Sequence, residues 1–460
     1  MGLPNKIAQY RAYRRGVSHC TFNPDGPGVV RIHLVPPRFR LLRSDAWIVI
    51  LNGYYLLPMG YAWAVLLERF MEEVNRFDGK PISDDEAEAL TESTVRAVHR
   101  IYPTVRKEEI RADLEEILRV VFAVARGGDP DVEIEKLSIR AYSGSMTAPH
   151  RMDLMVSAMT DPNGRWQCNQ KCTFCYAAGQ AMGKAAELST AQWKRAIDIL
   201  DRARVPMVTF TGGEPTLRPD IAELVGHAKR LVTRLNTNGV ALTPELARQL
   251  KEAGLDSVQV TLYSHNEAVH NSLVGCEHFA DTVQGIRNAV AAGLDISVNT
   301  PLCRKNADYA DTLAFIHSLG VRFVTVSGLI CTGMAGINHA EYDLTTEELT
   351  AIVAAAKSRC DELDMEMDFT SPGLIPRETL EQLGMNVPMC GAALSNMAVA
   401  PDGTVVPCQS WLGGNASLGN ILTDPFKTIW NHPHCAALRQ MDAAEALSCP
   451  FRTGKGGDWA

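Results

Sequence analysis

Between Leu188 and Ser327 the chain alternates amphipathic helical stretches with short apolar, β-branched runs. Parallel strands joined by crossover helices are what such an alternation builds. The first helical stretch, Ser189 to Arg204, sets Trp193, Ile197 and Leu200 on one face, and Ser189 or Thr190 can cap its start. Strands are predicted at Met207 to Phe210, Val232 to Leu235, Ser257 to Tyr263, Asp295 to Thr300 and Arg322 to Ser327. Helices are predicted between them at Ile221 to Leu231, Pro244 to Ala253, Phe279 to Ala292 and Asp308 to Leu319. With a first strand near Leu154 to Met159 this makes an α/β fold of six βα units, which a partial (β/α)6 barrel accommodates. Functional residues in a barrel gather at the carboxyl ends of the strands, where the loops surround the open mouth.

Composition narrows the class. At 460 residues the chain exceeds one simple core, and the length prior suggests about three domains. A net charge of −8, from 45 Lys and Arg against 53 Asp and Glu, argues against a nucleic-acid-binding surface. The apolar run from Ala46 to Leu67 approaches membrane-spanning length, but Asn52, Gly53, Pro58 and Gly60 interrupt it and read as a strand, a turn and the start of a helix. A cytoplasmic protein with no membrane partner is expected. Twelve cysteines in a chain without a signal peptide belong to a reducing compartment rather than to a disulfide framework.

Three of those cysteines, in CNQKCTFCY, follow the first predicted strand: Cys168, Cys172 and Cys175. A four-iron cube takes four ligands, so a tight group of three thiolates leaves one iron for something other than protein. A structural zinc site would want a fourth Cys or His nearby, and ordinary burial of three thiols at this spacing is a poor alternative. Cys-x3-Cys-x2-Cys followed by Tyr176 resembles the radical S-adenosylmethionine (radical SAM) superfamily. That resemblance implies a TIM-like partial barrel and a [4Fe-4S] cluster whose open iron is chelated by SAM. It also implies reductive cleavage to a 5′-deoxyadenosyl radical that abstracts hydrogen from a substrate.

Further motifs fall where the resemblance needs them. Thr211-Gly212-Gly213-Glu214-Pro215 ends strand two and matches the family's GGEP motif; its glycines let backbone approach a ligand, and Glu214 can accept hydrogen bonds from the SAM ammonium. Asn236-Thr237-Asn238-Gly239 ends strand three as a TNG-like turn. The resemblance assigns Thr261 and Ser264 to the SAM ribose and Asn299 to a ribose or carboxylate contact. It places an adenine-side loop at Gly328 to Gly333 and covers residues 150 to 340.

The last third of the chain resembles the SPASM or twitch extension of these enzymes, through Cys390, Gly403 and Cys408 around a Pro401-Asp402-Gly403 hairpin turn, then Cys435 and Cys449. The full pattern has seven cysteines and two clusters; four cysteines here imply one auxiliary iron–sulfur cluster. Cys390, Cys408 and Cys449 are expected ligands, and Cys435, His432, His434 or an open position is expected to complete the set. Residues 341–460 are thus expected to be a bridging helix and a cluster-binding domain.

Residues 1–130 read as a separate α+β domain. Strands at Val29 to Val35 and about Arg40 to Leu51 precede helices at Tyr61 to Asn75, Asp84 to Ile101 and Lys107 to Arg126. A hairpin followed by three helices is compatible with the winged-helix-like element that holds the leader of a ribosomally made peptide as an added strand, and equally with a cap on the barrel. Among the remaining cysteines, Cys360 reads as core. Cys331, just after strand six, can donate a hydrogen atom to a substrate radical or ligate something, and Cys276 is a second candidate; Tyr263 and His265 can face the cavity. The expected function is therefore radical modification of a peptide by cross-linking, epimerisation or oxidation, fed by an electron donor such as flavodoxin or ferredoxin. Maturation of a small molecule or tetrapyrrole is the alternative within catalysis, and an iron–sulfur redox sensor or scaffold is the alternative outside it.

Overall fold

A computed structural model describes residues 10, 16–22, 30–37, 46–53, 55–77, 82–125, 131, 139–143 and 146–449, the last span without 414, 415 and 442. Contacts within the chain gather it into two compact units, residues 1–150 with 230–232, and residues 151–229 with 233–460.

The first unit is a four-stranded antiparallel sheet, β1 (Ser18–Phe22), β2 (Val30–Val35), β3 (Trp47–Leu51) and β4 (Tyr55–Met59), in sequential order. Two of these strands escape the sequence reading. β4 is hidden in the interrupted apolar run, where Asn52 and Gly53 turn the chain with φ of 49° and 66°. Pro58 is tolerated because β4 is an edge strand, where a missing N–H costs no ladder bond. The predicted starts at Val29 and Arg40 to Asp45, and the predicted end at Arg126, lie outside the described residues. Helices α1 (Tyr61–Val74), α2 (Asp84–Ile101) and α3 (Lys107–Ala125) follow. They bury Leu67, Met71, Val98, Leu114 and Ile117 against Ile32, Leu34, Trp47 and Val49. Each such side chain contributes about 1.5–3 kcal/mol of transfer free energy. Ser83 and Glu86 close α2's start with a reciprocal capping box.

The second unit is built on one sheet of nine strands, of which β5 (Arg151–Ser157), β6 (Met207–Gly212), β7 (Val232–Thr237), β8 (Ser257–Thr261), β9 (Ile296–Pro301) and β10 (Phe323–Ser327) lie side by side in chain order. These are the six βα strands the sequence predicts. β11 (Glu366–Phe369) pairs parallel to β10 at one end. At the other end β12 (Asn396–Val399) pairs parallel to β5 and antiparallel to β13 (Val405–Val406) around the predicted Pro401-Asp402-Gly403 turn. The carboxyl-terminal segment therefore extends the barrel sheet rather than standing free of it.

The crossover helices lie where periodicity puts them. The one after the cysteine loop, α4 (Thr190–Ala203), buries Trp193, Ala196, Ile197 and Leu200 and starts at a capping box between Ser189 and Gln192. Between β6 and β10 one α-helix is absent from the sequence reading, α5 (Glu267–Val274), which starts at an Asn266 side-chain cap and precedes α6 (Phe279–Ala291). After β10 come α7 (Gly333–Tyr342) and the long α8 (Thr346–Glu362), on whose inner face Cys360 is fully buried. Among the described residues, no helix is long and apolar enough to cross a membrane.

Candidate active site

Strand alternation decides what faces the inside of the barrel. Thr209 and Thr211 on β6, Arg234 and Asn236 on β7, Gln259 and Thr261 on β8, Asn299 and Pro301 on β9, and Thr325 and Ser327 on β10 are two residues apart and line a cavity of about 500 Å³. The residues between them, Phe210, Leu235, Val260, Thr300 and Val326, are fully buried. An ordinary barrel packs its interior with branched apolar side chains. Here it is polar, and several groups lack protein partners: Thr209 Oγ1 and Asn236 Oδ1 are buried without a hydrogen bond. Others are paired across strands, with Gln259 Nε2 donating to Thr325 Oγ1 (3.0 Å) and Thr325 Oγ1 to Asn299 Oδ1 (2.9 Å). Arg151 and Arg234 also line the cavity. Arg151 Nε is 2.9 Å from Asp153. Burial and the neighbouring Arg151 work against Arg234's charge, which Asp295, Asp153 and Asp368 favour.

The loop after β5 carries Cys168, Cys172 and Cys175 into the same cavity. It is fastened from three sides. Lys171 and Thr173 donate their N–H groups to Val274 and Leu273 O at the end of α5, both at 2.9 Å. Met334 N–H donates to Cys175 O (2.9 Å), and Asn238 Nδ2 to Asn169 Oδ1 (2.6 Å). Burial pushes all three thiols up, Cys168 to about 12, and the thiolates would repel one another. Three half-buried thiols that ionise reluctantly on their own fit a cationic centre, since coordinated iron supplies the charge that desolvation denies them. The loop supplies three donors and no fourth, which fits a four-iron cluster with one exchangeable position.

Gly212 and Gly213 line the cavity beside the triad, and the space a Cβ would need there is filled by the chain itself. A Cβ at Gly212 (φ 131°) would lie 2.3 Å from Ser157 O, and one at Gly213 2.6 Å from Ala158 O. The glycines are thus required for β6 to close on β5, a reason the sequence reading did not include. Glu214 is 2% exposed, and its carboxylate accepts from Thr216 N–H (3.0 Å), Thr216 Oγ1 (2.6 Å), Thr237 Oγ1 (2.6 Å) and Asn238 N–H (2.8 Å). Burial raises its pKa against those four donors. A carboxylate offers about four lone-pair sites, so Glu214 braces the end of β6 to the TNG turn of β7. Gly213 O, 3.5 Å from Cys168 Sγ, is the acceptor of this motif that faces the triad.

The remaining predicted residues divide into those at the cavity and those elsewhere. Tyr176 lines it, and its hydroxyl donates to Gln409 Oε1 (3.3 Å). Thr261, Asn299, Tyr263, Cys331, Cys390, Cys408 and Cys449 line it too, as do Gly328, Leu329 and Ile330 of the predicted adenine-side loop. Pro215 is buried at the start of a 3₁₀ turn. Ser264 is fully buried, its Oγ accepting from Asn266 N–H (3.0 Å) at the entry to α5, and His265 pairs with Thr312 (3.0 Å). Cys276 opens on a separate recess beside α5, its thiol 3.6 Å from Asn169 O on the back of the triad loop. Cys435 is buried in the helix Pro433–Gln440; burial pushes its thiol up to about 11, against the pull of Arg439. His432 and His434 pack on each other, ring centroids 4.8 Å apart. Arg151, Arg234, Gln259 and Thr325 are cavity residues that the sequence reading missed, and the signal was present: polar side chains at every second position of otherwise apolar strands.

Comparison with known proteins agrees with this geometry. Residues 167–319 match the model of the radical SAM superfamily, and residues 390–450 match SPASM, an iron–sulfur cluster-binding domain. A mycofactocin maturase, MftC, of Mycobacterium ulcerans is 30% identical over 293 residues, 62% of this chain and 78% of that protein. A PqqA peptide cyclase of Streptomyces rochei is 29% identical over 57% of this chain and 72% of its own length. Streptococcus suis SuiB, solved bound to its precursor peptide SuiA, shares the fold with a TM-score of 0.60 at 13% identity, over 89% of this chain and 94% of SuiB.

Proposed function

This chain belongs to the radical SAM superfamily, and from that premise we propose that it modifies a ribosomally made peptide by hydrogen abstraction followed by cross-linking, epimerisation or oxidation. The observation that carries the reading is a single cavity onto which the thiols of Cys168, Cys172 and Cys175 open together with Cys390, Cys408 and Cys449 and a polar barrel wall. When bound, the cluster of the 168–175 loop and SAM supply reductive cleavage to a 5′-deoxyadenosyl radical. The chain's own residues supply the setting. Cys168, Cys172 and Cys175 hold the cluster, and Gly213 O, Asn236, Thr261 and Asn299 present acceptors and donors to SAM. Glu214 keeps the two motif loops in register, and the barrel wall shields the reacting centre from water. Cys390, Cys408 and Cys449 would hold one auxiliary cluster, Cys408 and Cys449 lying within electrostatic reach of each other.

The relatives support the peptide. A mycofactocin maturase and a PqqA peptide cyclase are relatives, and SuiB was solved with a precursor peptide. The amino-terminal sheet offers two edges, β1 and β4, and an extended leader pairing with one of them would tether the substrate. The reading places the enzyme in the cytoplasm, with flavodoxin or ferredoxin as electron source.

The test is anaerobic. Reconstituted protein, reduced in the presence of SAM, should release 5′-deoxyadenosine. With a deuterated precursor peptide encoded beside its gene, label should appear in the deoxyadenosine. Failure of iron-replete protein to cleave SAM with any reductant would overturn the enzymatic reading. Cleavage with no label transfer from peptide, but transfer from a small molecule, would overturn the peptide assignment.

A further inference from the structure

Where the chain leaves β10 it runs through Cys331 into α7, and that short segment brings together three donors of different chemistry. The Cys331 thiol, an imidazole nitrogen of His339 and a carboxylate oxygen of Asp343 all lie within 4.8 Å of one another. We propose that Cys331, His339 and Asp343 form a site for a divalent zinc ion at the rim of the barrel cavity.

An ordinary surface ion pair would explain only part of this. His339 Nδ1 and Asp343 Oδ2, one helical turn apart, are 3.1 Å from each other and about 40% exposed, at 42% and 40%. Such i,i+4 pairs are common and weak. The pair does not account for the thiol from the start of the helix, two turns away in sequence, converging on the same point. One sulfur, one nitrogen and one oxygen are ligands zinc takes, whereas calcium and magnesium prefer oxygens alone. Three protein donors are also the count of an open zinc site, with a fourth position left for water or a substrate group. Cys331 lines the cavity, so that position lies at the cavity rim.

The site is built before any ion arrives. Gly333 (φ 58°) makes the bend from Cys331 into the helix, and a Cβ there would lie 2.3 Å from Tyr176 O and 2.6 Å from Cys175 O. Met334 N–H bonds Cys175 O and Asn338 Nδ2 bonds Thr173 O, both at 2.9 Å, while Tyr342 packs edge-on against Phe174 with centroids 5.1 Å apart. The helix bearing two of the donors is thereby fixed to the loop bearing the cysteine triad. A zinc thiolate has no hydrogen atom to give, so the assignment removes Cys331 from the role of hydrogen donor and makes it a ligand.

The test uses protein reconstituted with iron and sulfide, then given one equivalent of zinc and desalted. Elemental analysis should find about one retained zinc per chain, and zinc K-edge absorption should show one sulfur with nitrogen and oxygen neighbours. Cys331→Ser, His339→Ala and the isosteric Asp343→Asn should each release the zinc without changing the iron count. Equal zinc retention in wild type and all three variants would overturn the assignment. So would a zinc shell of three or four sulfurs, which would place the ion on the cluster cysteines instead.

Discussion

The two groups of cysteines that open on the cavity are built in opposite ways. Cys168, Cys172 and Cys175 lie within one loop, whose spacing alone brings the thiols together and which is bonded through its backbone to α5 and α7 and through the Asn169 side chain to the β7 turn. Cys390, Cys408 and Cys449 come from three loops spread over the last third of the chain. They reach one cavity because β12 pairs with β5, β13 folds back on β12, and Cys390 N–H reaches Ala446 O (2.6 Å). A local group is specified by its motif; a dispersed one is specified by the whole fold around it. The first should therefore tolerate damage to the second, while the second should fail wherever its sheet extension fails.

The largest effect comes from removing the local group. Replacing Cys168, Cys172 and Cys175 together by Ala should abolish 5′-deoxyadenosine formation while leaving the auxiliary iron in place, read by iron and sulfide analysis after reconstitution. If the triple variant lost all its iron, the two groups would not be independent and the comparison would break.

Among the carboxyl-terminal cysteines, the structure sets Cys435 apart from the three expected ligands. Cys408→Ala and Cys449→Ala should each lower the iron content by the share of one auxiliary cluster. Cys435→Ala should leave it unchanged, because that thiol is buried beside Arg439 and not on the cavity. Iron loss in the Cys435 variant equal to that in the Cys408 variant would restore it to the ligand set.

That contrast shows where sequence runs out. The six barrel strands, the capping box of α4 and the triad loop are encoded by short-range features: periodicity, Ser189 three residues before Gln192, and Cys spacing. Cys435 against Cys449 is a question about long-range packing, which no spacing answers. Strand β4 went unseen because an edge strand tolerates the Pro58 that usually argues against one. Helix α5 went unseen because its eight residues are too few for periodicity to register, which left only the Asn266 cap and the Gly275 stop to mark it. The polar barrel wall was legible in principle, but only once the inward face of each strand is known.

A fall in pH should act on the local group and spare the dispersed one. His270, on α5 behind the triad loop, is fully buried, accepts from Tyr263 N–H through Nδ1 (3.3 Å) and leaves Nε2 unpaired. Burial lowers its pKa from 6.5 to about 4. The folded state thus holds His270 neutral, and the stability this represents is present above pH 6.5 and drains away as pH falls toward 4. At pH 5 the loss is about 2 kcal/mol, or roughly 30-fold in a local opening equilibrium. Hydrogen exchange at the Lys171 and Thr173 amides, corrected for intrinsic rates, should show that loss, and His270→Phe should remove its pH dependence. Equal acid sensitivity at the Cys390 amide would mean that the whole unit, not the triad loop, responds.

The smallest effect should come from loosening the brace between the two motif loops. Thr237 Oγ1 donates to Glu214 Oε1 (2.6 Å) and accepts from Gly239 N–H (3.0 Å). Thr237→Val keeps the shape but leaves a buried carboxylate one donor short and a backbone N–H unpaired, a cost of about 1–3 kcal/mol. Because Gly213 and Asn238 flank the brace while the thiols do not depend on it, SAM should bind several-fold more weakly with the iron content unchanged, as equilibrium dialysis and iron analysis would read. Thr237→Ser, which retains the hydroxyl, should recover most of the affinity. If Thr237→Val instead lost triad iron, the loop's own spacing would not be sufficient to hold the local group together.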